Sequence, residues 1–106
     1  MDPFALRRLG RTELRLPQLG FGGAPFGNLF TLVSDDEAEA TLQAGFDAGL
    51  RYFDTSPWYG RGLSEHRIGR LLRRQKREDF RITTKGGRGF TAPADPAAFA
   101  ASRRDW

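Results

Sequence analysis

Asp54, Tyr59 and Lys85 are an acid, a phenol and an amine, and each falls where a strand ends or just beyond one. If those strands are parallel neighbours, the three groups point into one site, because the loops that follow parallel strands gather at the strands' carboxyl ends. A free tyrosine has a pKa of about 10, too high for acid–base work near neutrality. An ammonium beside it favours tyrosinate, and a carboxylate keeps that ammonium charged and oriented. Such a trio suits proton transfer to or from a carbonyl oxygen while hydride moves at the carbon.

The elements that must position the trio read out of the flanking sequence. Leu6 to Leu16 reads as a hairpin around Gly10, Arg11 and Thr12, closed by Pro17. Leu19 to Gly22 reads as a short buried strand, with Gly22 and Gly23 marking a turn or close approach. Ser34 and Glu37 form a capping box, and Asp35 and Asp36 suit the positive end of a helix. Ala38, Leu42 and Phe46 repeat along one face of that helix, and Gly49 stops it. Arg51 to Asp54 is the next strand, and Pro57, Gly60 and Gly62 make a loop. Ser64 is expected to cap a second helix running to about Arg74 on a core face of Ile68, Leu71 and Leu72. Phe80 to Lys85, rich in β-branched residues, is a third strand. A loop around Gly86, Gly87 and Gly89 follows, and Asp95 and Pro96 suit the start of a helical turn over Ala97 to Ala101. Strand, helix, strand, helix, strand predicts parallel pairing with right-handed crossovers.

Composition narrows the function classes. The chain has 106 residues, 39% of them hydrophobic and 12% aromatic, enough for a globular domain. It has no cysteine, which excludes disulfides and thiolate metal sites. Arginines interrupt Met1 to Leu16, so no signal peptide is read there, and no apolar run reaches the roughly 18 residues of a membrane span. A cytoplasmic protein without a membrane partner is the expectation. The net charge is +4, and the basic run from Arg67 to Arg77 reads as the solvated face of a helix rather than a nucleic-acid patch.

With Gly49-Leu-Arg ahead of the acid and Leu19 to Gly22 upstream, this pattern resembles the aldo-keto reductase family. The stretches Gly22-Gly-Ala-Pro-Phe-Gly-Asn28 and Trp58-Tyr-Gly-Arg-Gly-Leu-Ser-Glu-His66 are similar to its branch of aldose 1-dehydrogenases and pyridoxal 4-dehydrogenase. The resemblance implies an α/β fold, the N-terminal arc of a (β/α)8 barrel, with residues 1–106 a partial oxidoreductase domain cut after the third barrel strand. It makes Asp54, Tyr59 and Lys85 three members of a catalytic tetrad, with Tyr59 the acid or base. The fourth member, a histidine after the fourth strand, lies beyond the chain, and His66, the only histidine, reads as a surface residue. NAD(P) is the implied cofactor, with Gly22, Gly23 and Asp54 near its nicotinamide end. Phe26 and Trp58 would line a pocket for a small sugar or aldehyde, and Arg88 would be solvated. The implied reaction is oxidation of an aldose at C1 to a lactone, or the reverse reduction of a carbonyl. The alternatives are a pyridoxal or general aldehyde oxidoreductase, or a non-catalytic barrel of the potassium-channel β-subunit type. Oligomeric state is not legible.

Overall fold

The computed structural model describes residues 1–89, so the turn expected at Ala97 to Ala101 lies outside the described residues. A hairpin pairs β1 (Leu6–Arg8) with β2 (Arg15–Pro17) in antiparallel register, Arg7 opposite Leu16. Pro17 ends the hairpin as the last residue of β2, opposite Leu6. A two-stranded ribbon has only edge strands, where a residue without an amide N–H is tolerated.

The second sheet is β3 (Phe21–Gly22), β4 (Tyr52–Asp54) and β5 (Arg81–Thr83), in that order and parallel throughout. Helices α1 (Asp35–Asp47) and α2 (Leu63–Leu72) supply the two crossovers. The fold is therefore α/β, with the arrangement of the N-terminal arc of a (β/α)8 barrel, as expected.

Local chemistry sets the helix ends. The Ser34 hydroxyl accepts from the Glu37 amide and the Glu37 carboxylate accepts from the Ser34 amide, both at 3.1 Å. At the other end Gly49, at φ 109°, donates to the Phe46 carbonyl while Leu50 donates to the Gly45 carbonyl, which satisfies two orphan carbonyls and turns the chain toward β4. The second helix differs from expectation. Its N-cap is Gly62, in the left-handed region, and Ser64 sits inside the first turn, fully buried. The helix also ends sooner, at Leu72, because Arg73 already caps it.

Side chains alternate across β4. Phe53 faces the helices and is fully buried with Ala38 and Leu42 of α1 and Ile68, Leu71 and Leu72 of α2. Phe21 stacks on it at 5.7 Å between ring centroids. Tyr52 and Asp54 face the other way, and both bond the Thr83 hydroxyl of β5. Two strand readings are corrected. Leu19 is half exposed and Phe21 only partly covered, so the first strand is not a buried one. The strand at Phe80 is short, and Lys85 lies two residues past its end rather than in it. Among the described residues no helix is long and apolar enough to cross a membrane.

Candidate active site

Hydrogen bonds between the ends of β3, β4 and β5 build the site. The Gly23 amide donates to the Asp54 carbonyl at 2.7 Å and the Thr55 amide donates to the Thr83 carbonyl at 2.9 Å. Ser64 donates to the Gly23 carbonyl and shares a 2.7 Å bond with the Thr55 hydroxyl. Both hydroxyls are buried, so Ser64 ties the first helical turn of α2 to two strand ends at once. This long-range role, not capping, explains its place.

On this frame Asp54 and Lys85 meet directly. The Lys85 ammonium donates to Asp54 Oδ2 at 2.8 Å and to the Thr55 carbonyl at 2.9 Å, while Thr83 donates to Asp54 Oδ1 at 2.7 Å. Lys85 Nζ also lies 5.1 Å from the centre of the Tyr59 ring, within cation–π range. The structure thus brings together all three groups singled out by type and spacing. Burial acts to raise the Asp54 carboxyl, but the hydrogen bonds from Lys85 and Thr83 and the Lys85 charge outweigh it and hold the group below its ordinary value. The hydrogen bond to Asp54 raises the Lys85 ammonium against the effect of burial, and the Asp54 charge and Tyr59 add to the rise. Acid and amine therefore both stay charged across neutral pH.

A cavity of about 260 Å³ opens beside the pair, lined by Ser56, Pro57, Trp58, Tyr59, Lys85, Gly86 and Arg88. Its aromatic walls and single ammonium suit a small polar molecule with one apolar face. Trp58 lines it, with the Arg61 and Arg88 guanidinium carbons each 5.9 Å from its ring. Arg88 is exposed but belongs to the cavity wall rather than to open solvent alone. Phe26 does not line the cavity. It is 5% exposed and stacks on Phe21 at 5.3 Å, because the one-turn helix at Ala24–Gly27 folds it into the core.

The two glycines also part company. A side chain on Gly22 would meet nothing within 4 Å, so open space lies beside Asp54, its partner in register. A Cβ on Gly23 would fall 2.6 Å from the Asp54 carbonyl oxygen and 2.8 Å from Ser64 Oγ, so packing alone demands glycine there. His66 is exposed at the start of α2. Arg67, expected on a solvated face with the rest of its basic run, is 7% exposed and is the exception, since Arg70, Arg73, Arg74, Lys76 and Arg77 are exposed. It reaches the Phe26 and Val33 carbonyls, Asn28 Oδ1 and Asp35 Oδ1. The readable signal was its place three residues after Ser64 and four before Leu71, on the inward stripe of the helix.

A parallel sheet with a charged acid–amine pair and a phenol at its carboxyl edge has the layout of α/β folds that gather their functional groups in the loops after the strands. Residues 18–105 match the model of the aldo/keto reductase family, and the chain belongs to that family. It is 55% identical over 75 residues to a D-threo-aldose 1-dehydrogenase of a Pseudomonas species, a match covering 71% of this chain and 23% of that protein. It is 51% identical over 85 residues to a pyridoxal 4-dehydrogenase of Microbacterium luteolum, covering 80% and 25%. Among solved structures, the holo form of an aldo-keto reductase from Bacillus halodurans superposes with a TM-score of 0.71 at 30% identity, covering 83% of this chain and 28% of that one. The chain spans about a quarter of the length of these curated relatives. Both of these curated relatives are named as dehydrogenases.

Proposed function

We propose that this chain is the N-terminal arc of a longer barrel, cut after the third strand, which exchanges hydride between a small hydroxyl- or carbonyl-bearing substrate and NAD(P). The aldose class comes first, oxidised at C1 to a lactone, with pyridoxal or another aldehyde second. The observation that carries the reading is the Lys85 ammonium, bonded to Asp54 at 2.8 Å and set 5.1 Å from the Tyr59 ring on the wall of a cavity.

The geometry supports the following roles. In the oxidising direction Tyr59, as tyrosinate, takes the substrate hydroxyl proton at its phenolic oxygen; in the reducing direction it returns that proton to the carbonyl oxygen. Lys85 stabilises the tyrosinate by its charge, and Asp54 and the Thr55 carbonyl hold the ammonium in place. Trp58 offers a flat apolar face to a sugar or pyridine ring. The open space beside Gly22 and Asp54 fits the nicotinamide end of the cofactor, and buried Gly23 supports that edge through its backbone. What the nicotinamide supplies when bound is an acceptor or donor of hydride.

The test mixes the full-length protein with NAD⁺ or NADP⁺ and a panel of aldoses, pyridoxal and simple alcohols, and follows the absorbance of the reduced cofactor. Cofactor reduction with at least one aldose, and a lactone product by mass, is the expected result. Cofactor binding without turnover on any of them would contradict the reading and favour a non-catalytic barrel.

The charged pair also predicts a pH dependence of stability. Asp54 is held low, so its contribution is present above the ordinary carboxylate pKa of about 4 and is lost as pH falls through the lower folded value. Lys85 is held high, so its contribution is present below about 10.4 and is lost as pH rises through the higher folded value. Both side chains are more than a third exposed, which limits the effect to about 1 kcal/mol or less. The melting temperature of Asp54→Asn should therefore lie slightly below that of the parent around neutrality. The two should converge in strong acid and strong base, and a gap constant with pH would contradict the pairing.

A further inference from the structure

We propose that Gly27 and Arg67 are positioning residues for Tyr59, and this rests on the role given to Tyr59 above. The peptide joining Tyr59 to Gly60 lies flat against Gly27. A Cβ on Gly27 would fall 2.5 Å from the Tyr59 carbonyl oxygen and 2.6 Å from the Gly60 nitrogen, and nearer still to the Tyr59 carbonyl carbon. The contact is reciprocal, since a Cβ on Gly60 would stand 2.6 Å from the Gly27 carbonyl oxygen. Gly60 has φ 70°, Arg61 φ 54° and Gly62 φ 94°, so the chain leaves Tyr59 through three successive left-handed residues. The same Tyr59 carbonyl ties the residue to the helix, accepting from the Ser64 amide at 3.1 Å. The phenol is thus carried on a backbone clasped between the Gly27 turn and the first turn of α2.

One buried guanidinium holds that turn. Arg67 bonds the Phe26 carbonyl and the Asp35 carboxylate at 3.0 Å, the Val33 carbonyl at 2.7 Å and Asn28 Oδ1 at 3.3 Å. Asn28, at φ 57°, also accepts from the Val33 amide, closing the segment from Phe26 to Asp35 around the arginine. Lysine cannot replace this fork, because a point charge on a flexible stem does not match four acceptors in fixed directions. Neither Arg67 nor Gly27 reaches the cavity. Their effect on chemistry passes through the seat of Tyr59, where a displacement of about 1 Å is enough to cost up to about 10²-fold in rate.

The experiment makes Gly27→Ala and Arg67→Lys in the full-length protein, with Leu72→Ala as a control for lost stability in the same helix. Two quantities are read well below the melting temperature: kcat and KM, and the NMR signal of ring-labelled Tyr59, identified by its loss in Tyr59→Phe. The expected result is a fall in kcat of about tenfold or more in both positioning variants, with KM little changed and a displaced Tyr59 signal. Leu72→Ala should lower the melting temperature while leaving kcat and the signal as in the parent. Parental kcat and an unmoved signal in folded Gly27→Ala and Arg67→Lys would overturn the proposal, as would equal loss of kcat in Leu72→Ala. If either positioning variant fails to fold, Asn28→Ala, which removes one of the four acceptors, is read by the same two criteria and decides. A displaced signal with turnover unaffected even by Tyr59→Phe leaves the positioning intact and removes the catalytic role of Tyr59 instead.

Discussion

Tyr59→Phe in the full-length protein is expected to lower turnover by about 10² or more. The substitution keeps the ring that faces Lys85 and the backbone clasped by Gly27, and removes one oxygen. Packing, cofactor access and the Asp54–Lys85 ion pair should all survive, so the melting temperature and cofactor affinity should change little. What is lost is the atom proposed to exchange a proton with a substrate oxygen across the cavity. The Asp54 carboxylate is already committed to Thr83 and Lys85, and the Lys85 ammonium to Asp54 and Thr55. A kcat within a few-fold of the parent would mean that the proton travels by another route.

The second large effect concerns the 106-residue chain by itself. It is expected neither to bind NAD(P) nor to turn over substrate, and to collapse or aggregate on expression. Its core is real but small: Phe53, Leu42, Ile68 and Leu71 are fully or almost fully buried, while Phe21 and Phe46 are only partly covered. Around that core the apolar surface is incomplete. Ile82 of β5 shares a face with Phe53 yet is 37% exposed, and an open groove runs from Leu72 past Phe80 to Ile82. Leu6, Leu19, Phe30 and Leu32 are also exposed. Among the described residues β3 and β5 each pair on one side only, and open edges invite association between chains. With these faces and edges open, little apolar burial is left to set against conformational entropy. Size-exclusion chromatography and thermal unfolding decide the matter. A monomer with a sharp cooperative transition and measurable NAD(P) binding would show that the arc is a minimal domain after all.

The parts of this molecule legible in its sequence are those fixed by short-range physics. Ser34 and Glu37 announce a helix start because a capping box needs only two residues at fixed spacing. Gly49 announces its stop because the left-handed turn there disfavours a side chain. Asp54, Tyr59 and Lys85 were legible because parallel topology places strand ends side by side, so an acid, a phenol and an amine near such ends must be neighbours. What stayed hidden depends on contacts distant in sequence. Ser64 has the look of a cap, yet Gly62 already fills that position and the hydroxyl serves Gly23 and Thr55 instead. Phe26 has the look of a pocket wall, but a single tight turn after β3 rotates it beneath Phe21. Arg67 was lost in a run of basic residues whose other members are exposed or half exposed. Residue type alone does not separate a structural guanidinium from a solvated one; its four acceptors do.

Asp54, Lys85 and Tyr59 are proposed to act as one proton-transfer unit, and a double-mutant cycle measures their coupling. Turnover of Tyr59→Phe, Lys85→Met and the double variant is compared with the parent at one pH. If Lys85 works only through the Tyr59 phenol, the double variant is no slower than Tyr59→Phe alone, because residues that act as a unit are strongly non-additive. If the two losses multiply instead, Lys85 and Tyr59 serve the reaction independently, and the unit does not exist.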